Sequence, residues 1–351
     1  MLLRIKDNMK KLLHRFRKQN DLPPSSRITS NTMAQHRERI LAGGRRFKYP
    51  IQYTRHKLVI NAIIISILAL IIVIVVGWWQ LYKAQNTSEF MYSITKVMPV
   101  PVANIEGQPV LYSDYLIKYL SSIHYLEQKE QVSLNTDNGK RQIEYIKQQS
   151  MRDAITDAYA LKLSKSLDIS ISSSELENFL KEQRQSSDGE ISQQTYDAVI
   201  LDYYGWNPAE YRHVTEGKLL RQKVAYAMDK DALEAVDSVK SELKKDPKAN
   251  LKNLATKISN QTSIKTLYES SGWVLKTNQD GGLSVEAAKL KKLQTSSVIK
   301  STIGEGYYFV RLLDSNNTKV KYEYVRVPLT AFTKALDNII DSDKVKKYIS
   351  I

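Results

Sequence analysis

Charged residues are scattered through most of this chain, and they stop abruptly once. From Leu58 to Tyr82 no residue is charged, and Ile60 to Val76 is almost wholly aliphatic. About 20 apolar residues cross the hydrocarbon core of a bilayer as a helix. The run therefore predicts a transmembrane signal anchor over residues 58–82, with Trp78, Trp79 and Tyr82 at headgroup level. A cleaved signal peptide has a shorter apolar region ending in small residues, whereas the flank here is GWWQLYKAQ.

Beyond a linker at 83–100 the pattern turns helical and, late in the chain, strand-like. VANIEGQPVLYSDYLIKYL reads as two short strands around a Gly turn, then a helix capped by Ser113 with Leu116, Tyr119, Leu120 and Ile123 on one stripe. After the break SLNTDNGK a second helix is expected from Arg141 to Lys165. Ser172 and Glu175 stand at capping-box spacing, and Asn207-Pro208 with Glu210 gives a stronger start signal. YYFVRLL and KVKYEYVRVPL alternate as strands around the turn DSNNT. Pairing Leu312 with Val320 would set Val310 opposite Tyr322 and Tyr308 opposite Tyr324. A last helix, AFTKALDNIIDSDKVKKYI, places Phe332, Leu336, Ile339 and Ile340 on one stripe. The expected fold class is α+β: one transmembrane helix, a mostly helical lobe at 101–230, a small α/β domain at 231–327 and a C-terminal helix at 328–351.

Charge sharpens the topology. Residues 1–57 hold 15 Lys+Arg against 3 Asp+Glu, and the rest of the chain holds 37 against 34, so the tail carries most of the net +15. The positive-inside bias puts this basic tail in the cytoplasm and the body outside. Leu2, Ile5, Met9, Leu12, Leu13 and Phe16 recur at helical spacing, which fits a basic amphipathic helix on anionic lipid; a solvated tail that merely sets topology fits the same residues. DLPPSSRITSNT reads as linker, and no nucleic-acid-binding motif accompanies the charge.

Cysteine is absent, which excludes disulfides, thiolate metal sites and cysteine nucleophiles. His14, His36 and His56 lie on the tail side, and His124 and His213 have no partner at metal-ligand spacing. No phosphate loop or nucleophile elbow is present, and no metal or cofactor is expected. Glu175, Glu177 and Glu210 sit at helix starts, where capping and the helix dipole account for them.

The order of these weak signals resembles a family. VANIEGQPVLYSDYLIKYL resembles the opening of SurA/PrsA-type extracytoplasmic chaperones, with Glu106 where Asn is usual. ISISSSELENFLKEQ resembles the family's next segment, and YYGWNPAEYRHVTEGKLLRQKV its long closing helix. The resemblance implies a helical client-binding lobe. Such chaperones usually continue into a parvulin-type (PpiC) prolyl isomerase domain. NLATKIS resembles the parvulin pattern "F-x-x-L-A-x-x-x-S", YESSGWV resembles "G-G-D-L-G-W" without its first two glycines, and VEAAKLKKLQTSSVIKSTIGEGYYFVRLLD resembles the closing helix, loop and strand.

The usual first strand of that domain is missing, because AYAMDK runs almost directly into DALEAVDSVKSELKK. KVKYEYVRVPL can replace it from the C-terminus, a circular permutation of the sheet; a plain hairpin capping the domain, or the stub of a second repeat, is the other reading. On the permuted alignment the family's two histidines fall at Tyr308 and Tyr324, and its Cys or Asp near Gln261. All three isomerase positions are changed, so the resemblance implies a degenerate site and no catalysis. The expected function is a membrane-anchored chaperone for newly exported, unfolded polypeptides. A prolyl isomerase with a diverged site and an envelope scaffold with one dedicated partner are the alternatives.

Overall fold

A computed structural model describes residues 29–48, 50–186, 189–301 and 306–351. The amphipathic stripe expected at Leu2 to Phe16 lies outside the described residues. The chain divides into two units, residues 1–78 and 79–351. Helix α1 is Ser30–Lys48, and α2, Pro50–Tyr82, contains the uncharged run. Every side chain from Leu58 to Val76 is exposed, and among the described residues this is the one helix long and apolar enough to cross a membrane.

The second unit begins where the apolar helix ends. Tyr82 Oη donates to the Pro101 carbonyl at 2.7 Å, and Tyr112 Oη to that of Leu81 at 2.8 Å. Residues 83–100 are not a plain linker: α3, Glu89–Val97, is capped by Ser88 and buries Met91 and Thr95. So short a helix is marginal alone and is held by its packing. Strands β1, Pro101–Ile105, and β2, Gln108–Leu111, form the expected hairpin. Its two turn residues, Glu106 and Gly107, have φ of 46° and 90°, as a two-residue hairpin loop requires. Glu106 lacks the short side chain that eases this backbone, but its carboxylate reaches Lys162 at 2.6 Å and Lys344 at 3.6 Å.

The lobe helices are α4 (Tyr112–Gln128), α5 (Asp137–Ser166), α6 (Ser173–Gln183), α7 (Gln193–Tyr204) and α8 (Pro208–Met228). Ser113 does not cap α4; the helix starts two residues earlier than such a cap implies, at buried Tyr112, and Ser113 lies inside the first turn. Helix α5 begins before Arg141 because Thr136 accepts from the Gly139 N–H at 3.0 Å. Both expected capping boxes close, at Ser172–Glu175 and Asn207–Glu210. A small hairpin, β3 (Gln185–Ser186) with β4 (Gly189–Glu190), separates α6 from α7.

The rest of the unit is α9 (Lys230–Lys245), α10 (Leu251–Gln261), β5 (Leu267–Leu275), α11 (Leu283–Ala288), β6 (Ile299–Lys300), β7 (Gly306–Ser315), β8 (Lys319–Pro328), α12 (Ala331–Asp341) and β9 (Val345–Lys347). The sheet is antiparallel, in the order β5-β8-β7-β6. Phe309, Val325 and Val327 face α9 and α10 and join the core that continues into the lobe. Tyr308, Val310, Leu312, Val320 and Tyr322 face Leu283 and Ala287 of α11 in a second, smaller core.

The hairpin register differs from expectation by two residues: Leu312 pairs with Tyr322, Val310 with Tyr324 and Tyr308 with Arg326. Asn316 tightens the turn by accepting from the N–H groups of Thr318 and Lys319, and a bulge follows at Leu313. The shift is even, so each side chain keeps its face. The C-terminal helix also ends sooner than expected, at Asp341. Phe332 and Leu336 are buried as the stripe requires, but β9 then pairs with β1.

Between α8 and α9 stands a single residue. Asp229 is 1 % exposed; its Oδ1 accepts from the Ala232 N–H at 2.9 Å, and its Oδ2 from those of Thr330 at 2.6 Å and Ala331 at 2.9 Å. Asp229→Ala leaves three donors without their acceptor, each costing about 1–3 kcal/mol if buried. We expect a loss of stability of at least about 3 kcal/mol in urea unfolding, with Asp229→Asn milder because it keeps one acceptor oxygen. Equal stability of Asp229→Ala and wild type would show that water replaces the carboxylate there.

Candidate functional site

The lobe presents a groove of about 410 Å³ bounded by β2, α4, α5 and α8. Leu111, Ile117, Ala158, Leu161 and Leu220 supply its apolar lining. Leu161 stays 40 % exposed, so the surface is open rather than a filled core. The polar side of the groove is an ion cluster: Asp157 on α5 holds Lys118 of α4 at 2.6 Å and Arg221 of α8 at 3.1 Å. One carboxylate thus fixes the spacing of three helices. Burial pushes neighbouring Asp153 above the usual carboxylate range, with Lys118 opposing it.

His213 sits at the rim, its Nε2 3.1 Å from Asp114 Oδ1. It also borders a second hollow of about 310 Å³ lined by Ile171, Leu176 and Ala209. The hydrogen bond to Asp114 raises the His213 pKa, against the effect of desolvation. His124 is separate, with Nε2 3.1 Å from the Asp202 carbonyl oxygen. Among the described residues no group of three or more His, Cys, Asp or Glu is placed to hold a metal ion.

Helix α7 is the surface that sequence reasoning missed. It buries only Ile200 and leaves Val199, Leu201, Tyr203 and Tyr204 exposed. Tyr204 stacks on Trp206 at 4.7 Å, and Lys129 lies 4.6 Å from the Tyr203 ring centre. A signal was present: Ser192 caps the start, and Gly205, with φ of 70°, closes the end in the left-handed conformation.

The three isomerase-like positions are only partly brought together. Tyr308 and Tyr324 touch, with ring centres 5.5 Å apart, although they are diagonal rather than directly paired. Gln261 is exposed at the end of α10, the helix packed on the opposite face of the sheet. Tyr324 Oη donates to Glu269, and Tyr322 Oη to Asp280 Oδ2 at 2.6 Å. Burial pushes the Tyr308 phenol up, and burial together with these carboxylates does the same for Tyr322 and Tyr324. The phenols therefore stay protonated near neutrality, and those of Tyr322 and Tyr324 serve as donors to fixed acceptors. They are packed under α11, and none is a titrating base.

Residues 51–225 match the family model described as SurA-like N-terminal domain. Over that stretch, which takes in the membrane-length helix and most of the lobe, the chain is similar to the SurA-like family. Among solved structures, a chain from work on "the virulence factor PEB4 and the periplasmic protein Cj1289", described as two structurally related SurA-like chaperones of Campylobacter jejuni, is similar at 12 % identity. That likeness covers 70 % of this chain and 91 % of the other, with a TM-score of 0.24. No curated protein matches the chain.

The His213–Asp114 pair gives a sign-definite pH effect. Because the folded chain favours protonated His213, the pair stabilises fully below the unfolded value of about 6.5 and fades as pH rises through the raised folded value. His213 is largely exposed, so solvent screening keeps the effect small. NMR titration should place the His213 midpoint above that of a free histidine and lower it in Asp114→Asn. The same midpoint in both proteins would remove the carboxylate as its cause.

Proposed function

We propose that this protein is a membrane-tethered extracytoplasmic chaperone that holds newly exported, unfolded polypeptides without covalent chemistry. The observation that carries this reading is the SurA-like match over residues 51–225. The open, mostly apolar groove between α4, α5 and α8 and the exposed face of α7 support it, because both offer apolar contact beside hydrogen-bonding groups. The uncharged run at 58–82, exposed throughout from 58 to 76, is the anchor, the basic residues 1–57 are its cytoplasmic tail, and anionic lipid is that tail's partner. Protease added to intact cells should remove the body and leave the tail protected. A surviving body with a digested tail would reverse the topology.

Residues 231–327 are read as a degenerate, circularly permuted parvulin-like domain. Two features support this. Strand β8 lies between β5 and β7, inside the sheet, as a displaced first strand would. The chain beyond its end meets Asp229, directly before α9, as it must if β8 once preceded that helix.

The same arrangement keeps a second reading in play, an isomerase with a diverged site built on Tyr308 and Tyr324. The first reading is favoured because both phenols are packed, Tyr324 is committed to Glu269, and Gln261 is on the other side of the sheet. Uncatalysed prolyl isomerisation takes roughly 10–100 s at 25 °C, slow enough for catalysis to stand out. With the full chain in detergent micelles, proline-limited refolding should not accelerate, and light scattering of an aggregating protein should fall at near-stoichiometric ratios. An acceleration abolished by Tyr308→Phe with Tyr324→Phe would establish the isomerase instead.

A further inference from the structure

The four-stranded sheet has one long edge that nothing pairs with. β5 is hydrogen-bonded to β8 alone, and among the described residues no other backbone–backbone hydrogen bond reaches Leu267 to Val274. A row of unpaired N–H and C=O groups is a template for another strand. Native edges are usually short or blocked by charge, and the sheet's other edge, β6, is only Ile299–Lys300.

The side chains beside this edge specify a partner. Trp273 and Leu275 are 46 % and 44 % exposed and lie two apart, on one face. Directly across from them on β8 stand Lys321 and Lys319. The acid nearest in the ladder, Asp314, is held by Lys292 at 3.4 Å and leaves that pair of ammonium groups without a counter-charge among the described residues. An apolar pair rimmed by cations complements a segment carrying apolar and acidic side chains.

The edge is also kinked, which bears on who can use it. The register jumps between Ser270 and Trp273, where Gly272 has φ of 65°. Ser271 Oγ fills the gap in the ladder, donating to the Tyr322 carbonyl at 3.1 Å and accepting from the Tyr322 N–H at 3.0 Å. Two copies of so fixed a bulge cannot both follow one another through the kink. A chain without structure of its own can.

We propose that β5 is a strand-addition edge that takes an extended segment of an unfolded polypeptide, bearing apolar and acidic side chains, beside Trp273 and Leu275. The inference rests on the chaperone reading above and assigns it a backbone-recognition site in the sheet, separate from the lobe groove. Affinity comes from main-chain hydrogen bonds, tolerant of sequence, with selection by the side-chain patch.

The test uses the full chain in lipid nanodiscs with reduced, carboxymethylated α-lactalbumin, an acidic and permanently unfolded probe. Binding should slow amide hydrogen exchange in β5. Both Trp273→Ser with Leu275→Ser and Lys319→Glu with Lys321→Glu should weaken Kd about tenfold. The charge-reversed variant should bind basic, reduced and carboxamidomethylated lysozyme no more weakly than wild type does. All four positions are at the surface or half-exposed, so the substitutions spare the core. Unchanged Kd in both variants, or no change in β5 exchange, overturns the edge while leaving the chaperone reading intact. Slowed exchange in the protein alone that grows with its concentration makes the occupant a second copy and also overturns it. No binding of either unfolded probe by wild type defeats the chaperone reading itself.

Discussion

The buried carboxylate of Asp229 fastens three parts of the chain at one point. It caps α9 and holds the N–H groups at the start of α12, within one residue of the end of α8. Burying a carboxylate is costly unless its oxygens are filled, and here both are. Because α8 passes into α9 through this residue alone, no chain is left between lobe and sheet to form a strand. The sheet is completed from the far end instead, by β8, after which the backbone returns to the same carboxylate. The result is a continuous core from Tyr112 and Tyr159 in the lobe, through Val224 and Val236, to Phe309 and Val325 in the sheet. Arg311 reinforces it from within, donating to the carbonyls of Ala249 and Pro247 and to Thr295 Oγ1.

What could be read from the residues was what local physics decides. The boxes at Ser172–Glu175 and Asn207–Glu210 need only neighbouring atoms, and both are formed. The β7–β8 hairpin was legible from its alternation, and its two faces survive the register error because that error is even. Elements that depend on distant partners were not legible. β9 exists because Val345 meets Ile105, and α3 because Met91 and Thr95 find the core. α7 has no apolar stripe to read, since it buries a single side chain. At the candidate site, alternation put Tyr308 and Tyr324 on one face, but nothing local announced that Gln261 would close a helix packed on the other.

The tyrosine face is a polar network whose phenols stay protonated. Tyrosine normally titrates near 10, and burial together with carboxylate neighbours moves Tyr322 and Tyr324 further up. A phenol in that state can donate one hydrogen bond, and these have already done so, to Glu269 and Asp280. With Arg326 against the Tyr308 ring and α11 over the face, the cluster adds packing to the small core on that side of the sheet. Such a cluster stabilises a sheet.

The surfaces left open pair apolar side chains with charged ones. The groove pairs Leu111, Ile117 and Leu161 with an ion cluster on Asp157 that ties Lys118 and Arg221 to one another's spacing. α7 pairs Leu201 and Tyr203 with the Lys129–Asp202 bridge at 2.5 Å. Each apolar patch is modest, and at about 25 cal/mol per Å² a small patch gives only a few kcal/mol on contact, much of which ordering the partner takes back. Contacts of that size release as readily as they form. Several of them on one rigid core, spaced along an extended partner, reach useful affinity together through effective concentration. The rigidity that Asp229 and Asp157 supply is therefore what would let weak, sequence-tolerant surfaces act as one.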